Sequence, residues 1–185
     1  MNIQDFQNRL EAGNNEKVPM TRRYHSHLSA KVLKRDSVIV EKIIREWDKQ
    51  QNKNKDLLPI FLKEHKNLSD ERYWELLRTV WIISGTVENT PIFRKLMQSN
   101  RKEKYCFSTP EEAKELRDLP EQITVYRATN DENDGGIAWT IKKEYAEYYK
   151  QAFNKEKVIK QFVIKKHIFA YINRNMEYEV IILLF

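Results

Sequence analysis

At 185 residues the chain suits one domain or two small ones. It can bury roughly 70% of its unfolded surface, and with Cys106 as its one cysteine it neither needs nor can form an internal disulfide, which fits a reducing compartment. Its longest apolar runs are five or six residues against the ~20 that span a bilayer, the opening MNIQDFQNRL is unlike a signal peptide, and four glycines leave no GxGxxG loop, so the expectation is a cytoplasmic protein without a glycine-rich nucleotide loop.

The net charge of +6 is uneven: residues 1–104 hold 21 Lys/Arg against 14 Asp/Glu, or +7, and residues 105–185 hold 12 against 13, or −1. In chain order, Ile3, Phe6 and Leu10 give a short amphipathic stripe. Thr21 to Arg35 then carries Arg22, Arg23, Lys31, Lys34 and Arg35 with no acid. A basic face of this kind suits a nucleic acid or an acidic protein, and a plain solvated surface has the same composition. Asp36 or Ser37 is placed to cap a helix with Ile39, Val40, Ile43, Ile44 and Trp47 on one face. Ser69, followed by Asp70 and Glu71, predicts another helix start, because its oxygen satisfies a free amide and the acids favour the positive helix end. Tyr73, Leu76, Leu77, Val80 and Trp81 form the apolar stripe of that helix, and Gly85 is placed to end it. Thr90-Pro91 and Thr109-Pro110 each put proline in a first helical turn, and Thr109 with Glu112 fits a capping box. Trp47, Trp74 and Trp81 read as packing residues, and Trp139 can be read the same way.

After Leu119-Pro120 the pattern changes. Ile123, Val125 and Arg127 alternate with Thr124 and Tyr126, which predicts a strand. Asn130 to Gly136, NDENDGG, predicts a turn. Ile137 to Ile141 is a second short strand, and Lys142 to Phe153 is a helix that clusters Tyr145, Tyr148 and Tyr149. Val158 to Ile164 is a third strand, and Val180 to Phe185, nearly all apolar, is a fourth that belongs inside a sheet. The prediction is a helical region over 1–104 and an α+β core over 105–185.

Three strings in that core carry chemistry: VYR at Val125 to Arg127, AWT at Ala138 to Thr140, and EYE at Glu177 to Glu179. An arginine, a hydroxyl and a glutamate in this order suit a phosphate-bearing ligand, since the planar fork of arginine matches phosphate oxygens. If the last strand persists through EYE, Glu177 and Glu179 share a face.

From Ile123 to Leu184 the order of YR, a WT strand end, the helix KKEYAEYY, the strand VIKQFVI, then KKHIFAYI and EYE resembles the Arg-Ser-Glu class of ADP-ribosyltransferases, in particular small phage and bacterial members. The resemblance implies a split β-sandwich core and the transfer of ADP-ribose from NAD, as cosubstrate and without a metal, to a macromolecular acceptor, most simply a protein. The setting implied is the cytoplasm of a bacterium or of an infected host cell. Carried over by position, Arg127 would bind NAD and Thr140 would match the last hydroxyl of the Ser-Thr-Ser motif. Glu179 would be the catalytic glutamate, with Glu177 orienting or activating the acceptor. Tyr126, Tyr145 and Tyr149 would add cofactor contacts, the helix tyrosines by stacking on nicotinamide. The helical region would read the target. The chemistry is consistent with these roles: nicotinamide leaves neutral while the ribose gains positive charge, so the site must hold the pyrophosphate and place a carboxylate at the cationic carbon.

The chain departs from the family at Ala138, where the serine that usually supports the glutamate is missing, and four strands are fewer than two packed sheets hold. Each residue also has a plainer reading. Arg127 can pair with Asp131 or Glu132 on a surface strand, and Glu177 and Glu179 can face solvent on an edge strand. Thr140 can cap the following helix, and the three tyrosines can be core. A non-catalytic interaction protein on the same fold is the alternative function, binding a host protein or a nucleic acid through its basic helical region, with residues 21–35 the stretch that suits nucleic acid. His25 and His27 are too few for a zinc site, and nothing in the sequence joins Cys106 to His167 for thiol catalysis.

Overall fold

The structure, a computed structural model, describes residues 28–50, 56–85, 88–131, 135–174 and 177–183. The stripe of Ile3, Phe6 and Leu10, the histidines His25 and His27, and Arg22 and Arg23 lie outside the described residues. The described chain divides into two compact units, with the break between Phe107 and Ser108. The break falls just after the expected one because Cys106 and Phe107 are buried in a 3-10 turn, Lys104–Phe107, that packs on a helix of the first unit.

The first unit is helical, with α1 Ala30–Asp48, α2 Leu58–Glu64, α3 Asp70–Ser84 and α4 Thr90–Met97. Ser29 caps α1, its hydroxyl accepting from the Val32 amide at 3.4 Å, so neither Asp36 nor Ser37 has the predicted role. Asp36 sits inside α1, 1% exposed. Its carboxylate accepts from the Ser69 hydroxyl at 2.5 Å and from the Ser69 amide at 3.2 Å, and pairs with Arg35 at 3.1 Å. A buried carboxylate needs donors of this kind, and the nearest lie on another element. Ser69 also caps α3 as predicted, accepting from Arg72. Gly85 does end α3, though at φ −73 it uses no left-handed freedom; a Cβ there would overlap the Trp81 carbonyl oxygen. Phe61, Tyr73, Trp74, Leu77, Val80, Phe93 and Met97 are fully buried, and Trp81 meets Phe93 edge-on at 4.9 Å. Among the described residues, no helix is long and apolar enough to cross a membrane.

The second unit is α+β. Its elements are α5 Pro110–Asp118, β1 Gln122–Thr129, β2 Ala138–Thr140, α6 Lys143–Ala152, β3 Lys157–Ile164, β4 Ile168–Ile172 and β5 Glu179–Ile182. The described strands form one open antiparallel sheet in the order β3-β1-β2-β5-β4. β5 is internal, as its apolar run predicts, and β4 is an addition to the predicted strands. The Thr109–Glu112 capping box is present at α5. The last carbonyls of α5 and its cap, Arg117 and Leu119, accept from Lys165 at 3.0 and 2.8 Å, where the helix dipole favours a cation. One face of the sheet gathers Ile123, Val125, Trp139, Val163, Ile168, Tyr171, Val180 and Ile182 into a core with Leu116 and Leu119.

Candidate functional site

Strand register decides which of the sequence-predicted residues meet. Tyr126 on β1 pairs with Thr140 on β2, and Thr140 pairs with Glu179 on β5. Directly paired residues share a face, so Tyr126, Thr140 and Glu179 form one row across three strands. Arg127 is one residue on from Tyr126 and emerges on the opposite face. There its guanidinium lies 5.3 Å from the Trp139 ring and donates to the Gly136 carbonyl at 2.9 Å. Gly136 fits only as glycine in this arrangement, because a Cβ would overlap that guanidinium. Burial pulls the Arg127 pKa down from its ordinary value. The sequence order of arginine, hydroxyl and glutamate therefore holds two of the three side by side and sets the arginine against the tryptophan of the core face.

Thr140 is buried, and its hydroxyl is engaged locally. The O–H donates to the Glu177 carbonyl at 2.9 Å, and the oxygen accepts from the Lys142 amide at 3.1 Å. The second bond is a turn-forming contact that leads into α6, whose N-cap is Lys142 without a side-chain cap bond. Thr140 thus does not cap α6, and its bond stops at the residue before the helix.

EYE does not run as one strand. β5 begins at Glu179, and Tyr178 takes a left-handed backbone with φ 50, a costly conformation for a bulky residue. Glu177 lies before the strand, and the expected two-residue alternation is interrupted. Glu177 is 6% exposed, which rules out the solvated-edge reading for it. Burial pushes its pKa up, opposed by Arg174, whose Nη2 lies 3.7 Å from Oε1. The turn that holds Arg174 is anchored on α5. The Asn173 amide donates to Glu112 at 3.3 Å, and its side chain donates to Glu115 at 2.9 Å.

α6 packs on β1, β2 and β3. Tyr145, Tyr149 and Phe153 run as an aromatic ladder, with centroids 5.3 Å and 5.0 Å apart and the second pair stacked at 24°. Burial raises the pKa of both phenols. Glu177 adds to the rise at Tyr145, and Glu177 and Glu179 add to it at Tyr149. Tyr145, Tyr148 and Tyr149 pack on one another but stay half-buried, so the core reading does not hold for them.

The sequence marks Glu112 only as a capping residue, Asn173 and Glu115 carry no local signal because they meet 58 residues apart, and Arg174 pairs with Glu177 three residues on in no recognisable motif. Cys106 and His167 belong to different units. Burial, with neighbouring glutamates, pushes the Cys106 thiol up to about 12, which leaves no thiolate near neutral pH. Among the described residues no group of His, Cys, Asp and Glu could hold a metal ion. Comparison with family models, with curated proteins and with solved structures finds no match.

Proposed function

We propose that the second unit is an NAD-dependent mono-ADP-ribosyltransferase, its sheet one layer of an ADP-ribosyltransferase-like split β-sandwich, and that it modifies a macromolecular acceptor, a protein foremost, in the cytoplasm of a bacterium or an infected host cell. The observation that carries the reading is the pairing of Thr140 with Glu179, in a row with Tyr126 and with the buried Glu177 two residues before Glu179. Glu179 would sit against the ribose carbon that becomes cationic as nicotinamide leaves, where fixed negative charge stabilises the transition state more than the ground state. Glu177, with its raised pKa, would accept a proton from the acceptor nucleophile. Arg127 would serve the pyrophosphate only by leaving Gly136 and Trp139 and turning toward the row. The test is incubation with labelled NAD and cell lysate. Label transfer or NAD hydrolysis is expected, and Glu179→Gln should raise the barrier by about 3 kcal/mol or more. Parent and variant that are equally inactive would end the catalytic reading.

A second reading, a non-catalytic interaction protein on the same scaffold, is favoured by three specific observations. Ala138 supplies no hydroxyl, the Thr140 proton is committed to the Glu177 carbonyl, and Arg127 lies on the other face. Its binding surface would be the basic helical region, where Lys31, Lys34 and Arg35 are exposed. A thermal shift at millimolar NAD separates the two readings, since a ligand of the native state must stabilise it.

A further inference from the structure

We propose that the outer edge of β3 is a self-association surface, on which a second copy of this chain adds its own β3 in antiparallel pairing about a two-fold axis at Phe162. Neither NAD nor the glutamates enter into it, so it stands apart from the transferase reading.

The sheet order leaves β3 and β4 as its two edges among the described residues, and they are finished differently. β4 is buried at four of its five residues, with α5 packed against it. β3 is eight residues long, pairs throughout with β1 on one side, and has no strand on the other among the described residues. The outward backbone groups of such an edge are a template for a further strand. Val163 belongs to the core, so Lys160, Phe162 and Ile164 share the opposite face. There Phe162 is 75% exposed and Ile164 40%, and Phe162 is the most exposed large apolar side chain among the described residues. Its direct neighbour on β1 is Thr124, which covers little of a phenyl ring.

Charge selects the occupant. The cations of β3, Lys157 and Lys160, lie in its first half, and Phe162, Val163 and Ile164 close it. A two-fold axis relates like residues, so one residue of the strand sits opposite itself. Centring on Lys160 sets two cations directly opposite each other, and centring on Gln161 makes them diagonal neighbours. Centring on Phe162 sets the two rings opposite each other and each Lys160 opposite Ile164 of the second copy. The lysine stem then lies on apolar surface while its head reaches water, and the two Lys160 positions are ~14 Å apart along the ladder. The pairing runs from Lys160 to Ile164 and stops where the 3-10 turn Lys165–His167 begins. With β4 buried, the other edge takes no further copy, and association closes at two copies rather than growing into a fibre. Tyr126 pairs with Lys160, so the row of Tyr126, Thr140 and Glu179 lies on the Phe162 face, and the two-fold sets both rows on one side of a continuous sheet.

Interfaces below about 1,200 Å² are weak or transient, so sedimentation of the full chain is followed from about 1 μM to 1 mM. The parent should pass from monomer to dimer across that range. Phe162→Lys sets a cation opposite its own copy. It should raise the concentration of half-association about tenfold or more, with an unchanged circular dichroism spectrum, as loss of a central aromatic contact does. Register is read with Lys160→Cys and Ile164→Cys, which both keep Phe162. Directly opposed residues have Cα atoms about 4.5–5.5 Å apart, within disulfide range. An equimolar mixture of the two variants should form the mixed disulfide under mild oxidation, and each variant alone should not. Cys106 is buried and stays out of the exchange. A parent that remains monomeric overturns the second copy as occupant and leaves the edge to an extended segment of another protein. A dimer that Phe162→Lys does not weaken, or cross-linking of either cysteine variant alone as readily as the mixture, also overturns the proposal.

Discussion

Gly85 and Gly136 both sit where a Cβ has no room, yet substitution should cost different amounts. At Gly85 the obstacle is the Trp81 carbonyl, part of the α3 backbone and unable to yield. Gly85→Ala should lower stability by about 1–3 kcal/mol, as overpacking does, read from the denaturation midpoint. At Gly136 the obstacle is the Arg127 guanidinium, the far end of a flexible side chain. Gly136→Ala should cost about 1 kcal/mol or less, and the cost should vanish in an Arg127→Ala background, the coupling a double-mutant cycle detects. Glu177 makes a prediction of another kind. Its pKa in the fold is raised, so its contribution is fully present below the ordinary carboxylate range and is lost as pH rises through the raised value. Glu177→Gln should therefore melt higher than the parent near neutral pH, with the gap closing toward about pH 4.

Helix starts were the most legible elements because their chemistry is local. Ser69 and Thr109 each bond an amide three residues ahead, and both caps are where the sequence puts them. Asp36 shows where local pattern fails. Asp-Ser before an apolar stripe looks like a cap, but the partner that accounts for Asp36 is Ser69, 33 residues away. β4 hides for a related reason. KKHIFAYI has no turn residue to mark its start, and its pairing with β5 shifts register between Ile168 and Ala170. The candidate site follows the same division. Alternation within β1 separates Tyr126 from Arg127, but only the Tyr126–Thr140 register tells which of the two shares a face with Thr140. The contrast between caps can be measured. Ser69→Ala removes a cap and a donor to the buried Asp36, and should cost about 2–4 kcal/mol. Ser29→Ala removes one exposed bond of 3.4 Å at α1, and should cost about 0.5 kcal/mol, with both values read from chemical denaturation.

On the scale of the whole chain, charge and candidate chemistry are segregated. The excess of +7 lies in residues 1–104, and Tyr126, Thr140, Glu177 and Glu179 lie in the near-neutral remainder. Small NAD-sized ligands need little long-range steering, whereas a macromolecular acceptor gains encounter rate from a field spread over a surface. If the helical unit reads the acceptor, recognition and chemistry should be separable by mutation. Lys31 and Lys34 suit the test because both are exposed on α1 and neither forms a described ion pair, unlike Arg35. The double variant Lys31→Glu and Lys34→Glu should keep its fold, since acids near a helix N-terminus are favoured. Acceptor labelling should fall several-fold at low salt, and the difference from the parent should shrink as ionic strength rises and screening removes the advantage of the parent. NAD hydrolysis, which needs no acceptor, should stay at the parent rate. Labelling and hydrolysis that fall together would place the effect of these lysines on the transferase site itself, and labelling that does not change would leave the basic face without a part in acceptor capture.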